Sequence, residues 1–139
     1  MDRLDLRSVE PLDDEAFAFI SSRIRGVNML DIAEADITAN SLSILPGWEY
    51  IYELRIKDCP ALNDTCIEYL NQLHSLHFLQ LKATSITVDG ILLLDQLTKL
   101  KELQFTVEGK DDIRHEMDQL RIQLPNCSFY VNSKPWIFG

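Results

Sequence analysis

Long apolar runs are missing from this chain, and that absence is the first constraint. No stretch approaches the ~18 consecutive apolar residues of a spanning helix, so insertion into a membrane is not expected. Cysteine is scarce, with three in 139 residues, at 59, 66 and 127. An odd number without paired spacing describes neither a disulfide framework nor a zinc site, and fits a cytoplasmic or other reducing compartment. Glycine is equally thin: five single residues at 26, 47, 90, 109 and 139, with no clustered loop to cradle a phosphate. Basic residues are the third shortage. Thirteen Lys and Arg stand against 22 Asp and Glu, a formal charge of −9. That surplus speaks against nucleic acid and anionic membrane surfaces as partners. The amino terminus, Met1-Asp2-Arg3-Leu4-Asp5-Leu6-Arg7, has neither the apolar stretch of a secretory signal nor the acid-poor character of a transit peptide.

What the chain has in quantity is a repeat. Apolar-x-apolar pairs recur at Leu4-Asp5-Leu6, Leu30-Asp31-Ile32, Leu54-Arg55-Ile56, Leu79-Gln80-Leu81, Leu103-Gln104-Phe105 and Phe129-Tyr130-Val131. Their first members lie 26, 24, 25, 24 and 26 residues apart. Further apolar positions keep the register: Ile86, Ile91, Leu94, Leu97 and Leu100 after Leu79, and Ile37, Leu42, Leu45, Trp48 and Ile51 after Leu30. After Leu54 the same set, Leu62, Ile67, Leu70, Leu73 and Leu76, is displaced by one, as an inserted residue near Cys59-Pro60 explains. Alternation at the pair has the period of a half-buried strand, and the spacing of three in Ile91, Leu94 and Leu97 suggests an amphipathic helix. Each unit is thus expected to be strand, turn and helix. Like crossovers make the strands parallel. One unit cannot bury its own apolar face, so the repeats must stack into one domain over 1–139. Units begin near 4, 30, 54, 79 and 103, with a closing strand near 129.

These residues resemble the leucine-rich repeat family. Leu79–Leu94 and Leu54–Leu70 match best, the latter with Cys59 where the cysteine-containing, ribonuclease-inhibitor-like subtype places its cysteine. The resemblance implies an α/β fold: a right-handed solenoid, a short horseshoe with parallel strands on its concave face and helices on its convex face. A narrower similarity is to the mitochondrial ATP synthase subunit s family, also called coupling factor B, through Tyr52-Glu-Leu-Arg-Ile-Lys-Asp-Cys59, Ile67-Glu-Tyr-Leu70 and Leu124-Pro125. That likeness implies an assembly subunit of a larger, mitochondrial membrane complex.

In such an architecture the residues flanking and separating each apolar pair face outward and form the candidate contact surface. They include Arg7, Asp31, Arg55, Lys57, Phe78, Gln80, Lys82, Gln104 and Tyr130. Across all strands the outward set holds five basic and four acidic residues, close to neutral. Most of the negative charge falls on the turns after the strands, at Glu10, Asp13, Asp14, Glu34, Asp36, Asp58, Asp64, Asp89, Glu108, Asp111 and Asp112. Stacking aligns these into an acidic edge, which attracts a basic protein partner or simply caps helix N-termini. Arg55, Lys57 and Lys82 form the central cationic cluster, either an anion or acidic-peptide contact or a set of charges paired with Asp31, Glu53 and Glu102.

Chemistry is sparse. His74, His77 and His115 have no serine or cysteine beside them in a nucleophile motif. No catalytic residue, cofactor or metal ligand is expected, and the function class is a non-enzymatic interaction module. The ends leave two alternatives. Almost nothing precedes Leu4 to cover the first repeat, although Phe17, Phe19, Ile20 and Ile24 enlarge it. The apolar tail Lys134–Gly139, with Trp136, Ile137 and Phe138, either folds back as a cap or docks into a partner or second copy.

Overall fold

Seven strands form one sheet in which each strand lies beside its neighbours in sequence. The computed structural model describes all 139 residues. Strands β1 (Arg3–Asp5), β2 (Gly26–Ala33), β3 (Tyr50–Cys59), β4 (Phe78–Thr84), β5 (Glu102–Phe105) and β6 (Ser128–Val131) are parallel. A short seventh, β7 (Lys134–Pro135), runs antiparallel to β6. The class is α/β, and the sheet is open at both ends.

The register follows directly from the apolar pairs. Leu4, Leu30, Leu54, Leu79, Leu103 and Phe129 stand side by side across the six parallel strands. All but the edge residue Leu4 are buried. A second buried row joins Ile32, Ile56, Leu81, Phe105 and Val131. Because side chains alternate across a strand, fixing these rows inward fixes the residues between them outward. Each fully buried aliphatic side chain contributes about 2 kcal/mol, so a slip of one residue is heavily disfavoured.

Five helices lie between the strands: α1 (Asp14–Ser21), α2 (Ala39–Leu42), α3 (Ile67–Leu70), α4 (Val88–Ile91) and α5 (Arg114–Gln123). Three of them are a single turn, so the expected helical runs are shorter than the sequence suggests. In place of a continuing helix after α4, Leu94, Leu97 and Leu100 sit in turns and are still fully or nearly fully buried. Leu94 donates to Ile91 at 3.0 Å, and Leu100 to Leu97 at 3.1 Å, both three residues back. An α-helix drifts by about 60° at each step of three residues, whereas a 3₁₀ turn keeps such residues aligned. The strict spacing of three therefore accompanies separate tight turns, which Leu94 and Leu100 close, rather than a continuing helix. Equivalent turns carry Leu45 and Leu73.

Caps hold these short elements in place. Asp13, in extended conformation, accepts the Ala16 N–H at 2.8 Å and opens α1. Thr38, Asn63 and Thr87 take the same role in the next three units. The strands share one backbone feature near their ends: Glu34, Asp58 and Ala83, one residue beyond the last outward position of β2, β3 and β4, all have φ between 50° and 56°. The extra residue of the third unit falls at the turn Pro60-Ala61, after β3 has kept register as far as Cys59 opposite Thr84.

The two ends differ. The tail turns back through Asn132 and Ser133, both with positive φ as a type I′ hairpin turn requires. Trp136 donates its N–H to Phe129 at 2.8 Å, and the Phe138 ring meets Phe129 edge-on at 6.1 Å. Arg121 lies 4.8 Å over Phe138. Of the three apolar tail residues only Ile137 remains outside, 83% exposed. At the other end Phe17 is fully buried, but Phe19 is 68% exposed with only Arg23 over its ring, so it does not cover the first unit.

Candidate interaction surface

The outward residues form three rows across the sheet. The first runs Arg3, Met29, Glu53, Phe78, Glu102 and Ser128. The second runs Asp5, Asp31, Arg55, Gln80, Gln104 and Tyr130. The third places Ala33, Lys57 and Lys82 side by side near the strand ends. All nine candidate positions lie in these rows except Arg7, which follows β1 and reaches back to β1 and β2.

The β1–β2 portion is closed on itself. Arg7 grips Asp5 with Nε at 2.9 Å and Nη2 at 2.7 Å, and its backbone N–H adds a third bond at 3.0 Å. These bonds hold the Asp5 carboxyl far below the usual carboxylate range and push the Arg7 guanidinium upward. Asp31 is nearly buried, and its Oδ2 accepts Arg3 at 3.0 Å with Arg7 at 3.6 Å. Two arginines and two aspartates are paired with one another there.

The β4–β5 portion is a chain of amides ending on one carboxylate. Gln80 donates to Gln104 at 3.1 Å, and Gln104 donates to Glu102 at 2.8 Å. Glu102 is therefore engaged by an amide, and the alternative in which it neutralises the cationic cluster does not occur.

The centre is different. Arg55 packs 4.5 Å over the Phe78 ring of the neighbouring strand and reaches Glu53, two residues back on its own strand, at 3.3 Å. Its Nε is buried without a partner. Beside it, Lys57 and Lys82 are register partners on β3 and β4, and neither ammonium has an ion pair. Like charges directly opposite on paired strands destabilise a sheet by a few tenths to about 1 kcal/mol. Of the expected partners for this cluster, Asp31 is held by Arg3 and Arg7, and only Glu53 makes a bond. The cluster keeps two net positive charges on a chain of charge −9.

The acidic edge divides into working caps and free charges. Asp14 accepts from the Thr38 N–H at 2.8 Å, the Thr38 hydroxyl at 2.6 Å and the Ser41 hydroxyl at 2.6 Å. Burial pushes the Asp14 carboxyl up, but these bonds outweigh it and hold the group below its ordinary value. Asp64 repeats the arrangement on Thr87, at 2.8 Å from its N–H and 2.6 Å from its hydroxyl. Asp13 caps α1, and Asp112 is gripped by Arg114, which holds it down to about 2. Glu10, Glu34, Asp36, Asp58, Asp89, Glu108 and Asp111 make no side-chain hydrogen bond or ion pair within the chain.

The sequence missed one feature of the opposite edge. Tyr50 and Tyr52 stack at 5.0 Å, and His77 stacks on Tyr52 at 5.5 Å. His77 follows Tyr52 by 25 residues, one repeat, so the juxtaposition was readable from the period. Tyr50 also lies against Gly26, where a methyl would come within 2.5 Å of the ring.

Cys59 and Cys66 are buried and pushed upward by burial, and Cys127 is pushed up to about 12 by burial with the Glu102 charge adding to it. No family model matches the chain, and no curated protein matches it.

Proposed function

We propose that this chain is a leucine-rich-repeat-type solenoid, with the sheet as its concave face, that acts as a non-enzymatic module binding a protein partner through that face. The single observation that carries the reading is the Lys57–Lys82 pair: two lysines in register on neighbouring strands without carboxylate partners, on a sheet whose three arginine-bearing contacts, Arg3, Arg7 and Arg55, are each paired with a carboxylate. A sheet gains no stability from such a pair, and an anionic ligand seated on it would neutralise it. The acidic edge gives weaker support, since Asp13, Asp14, Asp64 and Asp112 are already engaged within the chain.

The test is affinity capture from extracts of the cells that make the protein, using wild-type chain, Lys57→Glu/Lys82→Glu, and an edge variant lacking Asp89 and Asp111. The reading expects a partner that the wild type and the edge variant retain and the double lysine variant loses. Retention by the lysine variant with loss by the edge variant would move the site to the edge and a basic partner.

The alternative, an assembly subunit of a larger complex, is favoured by one end of the sheet. Strand β1 is paired on one side only, and Phe19, Val9 and Met1 are exposed in the first unit. In that reading a neighbour covers the first unit, and Phe19→Asp blocks assembly without unfolding the chain.

A further inference from the structure

Resting on the strand-face reading, we propose that the partner's contacting segment is a short extended acidic peptide whose carboxylates seat on Arg55, Lys57 and Lys82. The argument begins with spacing. Arg55 and Lys57 are two residues apart on one strand, about 6.7 Å at the usual rise, while neighbouring strands lie about 4.8 Å apart. A peptide lying extended along β3 presents alternate side chains at the same interval of about 6.7 Å. Two glutamates separated by one residue therefore meet Arg55 and Lys57 together. Lys82, the register partner of Lys57, brackets the second carboxylate from the next strand.

The donors are prepared for this. The Arg55 guanidinium is steadied by the Phe78 ring at 4.5 Å and by Glu53 on one nitrogen. A guanidinium held in plane suits the forked geometry of a carboxylate. Phe78 is half-buried and leaves part of its ring to an apolar side chain of the same peptide. The overall charge of −9 does not forbid the contact, because exposed charges beyond about 8 Å are largely screened at physiological ionic strength. It does limit the length of the acidic segment. Asp58, Asp89 and Glu108 stand free on the edge at which these strands end, so two or three carboxylates are favoured and a long acidic tract is repelled.

The experiment titrates the intact chain, followed by backbone NMR shifts, with a heptapeptide alternating glutamate and threonine. Parallel titrations use its glutamine counterpart, a lysine counterpart and sodium phosphate. The proposal expects saturable shifts on β3 and β4 from the glutamate peptide alone. It also expects affinity to fall at least about tenfold both in Lys57→Glu/Lys82→Glu and on raising salt from 50 to 500 mM. The milder Lys57→Gln/Lys82→Gln variant keeps the test valid if the reversed charges disturb folding. Absent binding, equal binding of the glutamine peptide, preference for the lysine peptide, or phosphate binding as tightly at the same residues would each overturn it. A cellular partner lost by the lysine variant together with a silent glutamate peptide would refute this inference and spare the strand-face reading. A partner retained by that variant would refute both.

Discussion

Gly90 offers a sharp test of how the repeats are stitched together, because one added methyl should change sign with its surroundings. The residue sits in the single-turn helix α4, where replacing glycine by alanine ordinarily stabilises by up to about 1 kcal/mol. A Cβ at this position would fall on Asp64 Oδ1 and 2.7 Å from Asp64 Cγ. The carboxylate cannot simply swing aside, since it holds the Thr87 N–H at 2.8 Å and the Thr87 hydroxyl at 2.6 Å. Losing both surface bonds costs about 1–2 kcal/mol, more than the helix gains. Gly90→Ala should therefore destabilise the wild-type chain by about 1 kcal/mol. In an Asp64→Ala background the obstruction is gone, and the same substitution should stabilise by about 0.5–1 kcal/mol. The coupling, about 1.5–2 kcal/mol, is within reach of urea unfolding of the four chains of the cycle followed by circular dichroism. Equal effects of Gly90→Ala in both backgrounds would refute the reasoning and show that Asp64 does not bridge the third and fourth units.

Three further expectations follow from the same geometry. Asp14 is held below the ordinary aspartate value of 3.8 in the folded chain, so its contribution is fully present above that value and is lost as pH falls through the lower folded one. Asp14→Asn should cost about 1 kcal/mol at pH 7, with the gap to wild type closing in acid unfolding curves below pH 4; a gap independent of pH would contradict the assignment. Cys127 is pushed up to about 12, so its thiolate is scarce at pH 8. Ellman's reagent should find no fast thiol in the native chain and three in denaturant, and a rapid native phase abolished by Cys127→Ser would show the reasoning wrong. Phe138→Ala removes the edge contact with Phe129 at 6.1 Å and the Arg121 stacking at 4.8 Å. It should lower stability by about 1–2 kcal/mol, whereas Ile137→Ser, at an exposed position, should leave the unfolding midpoint unchanged.

The strand rows were legible because a period near 25 and an alternation of two together determine register. Once Leu54 and Leu79 are aligned, Lys57 and Lys82 become neighbours without further information. The helices were less legible. Leu42, Leu45, Trp48 and Ile51, or Ile91, Leu94, Leu97 and Leu100, look amphipathic, yet their spacing of three without a four accompanies tight turns. Side-chain pairing was least accessible, since it depends on which of several reachable partners wins. Arg55 takes Glu53 on its own strand, Glu102 is claimed by Gln104, and Asp14 and Asp64 reach forward to the threonines of the next unit. The tail's return onto the last strand was one of two legible alternatives, but its form, a β6–β7 hairpin, was not, because Asn132-Ser133 lacks the glycine that usually signals a two-residue turn.

The central claim is that the sheet face at Lys57 and Lys82 is where a partner sits. The most direct measurement is amine-labelling footprinting of the captured complex against the free chain, with Lys99 and Lys101, exposed in the segment leading into β5, as internal controls. The account predicts strong protection of Lys57 and Lys82 with little change at Lys99 and Lys101. Unchanged labelling of Lys57 and Lys82 in the complex, with protection elsewhere, would contradict it.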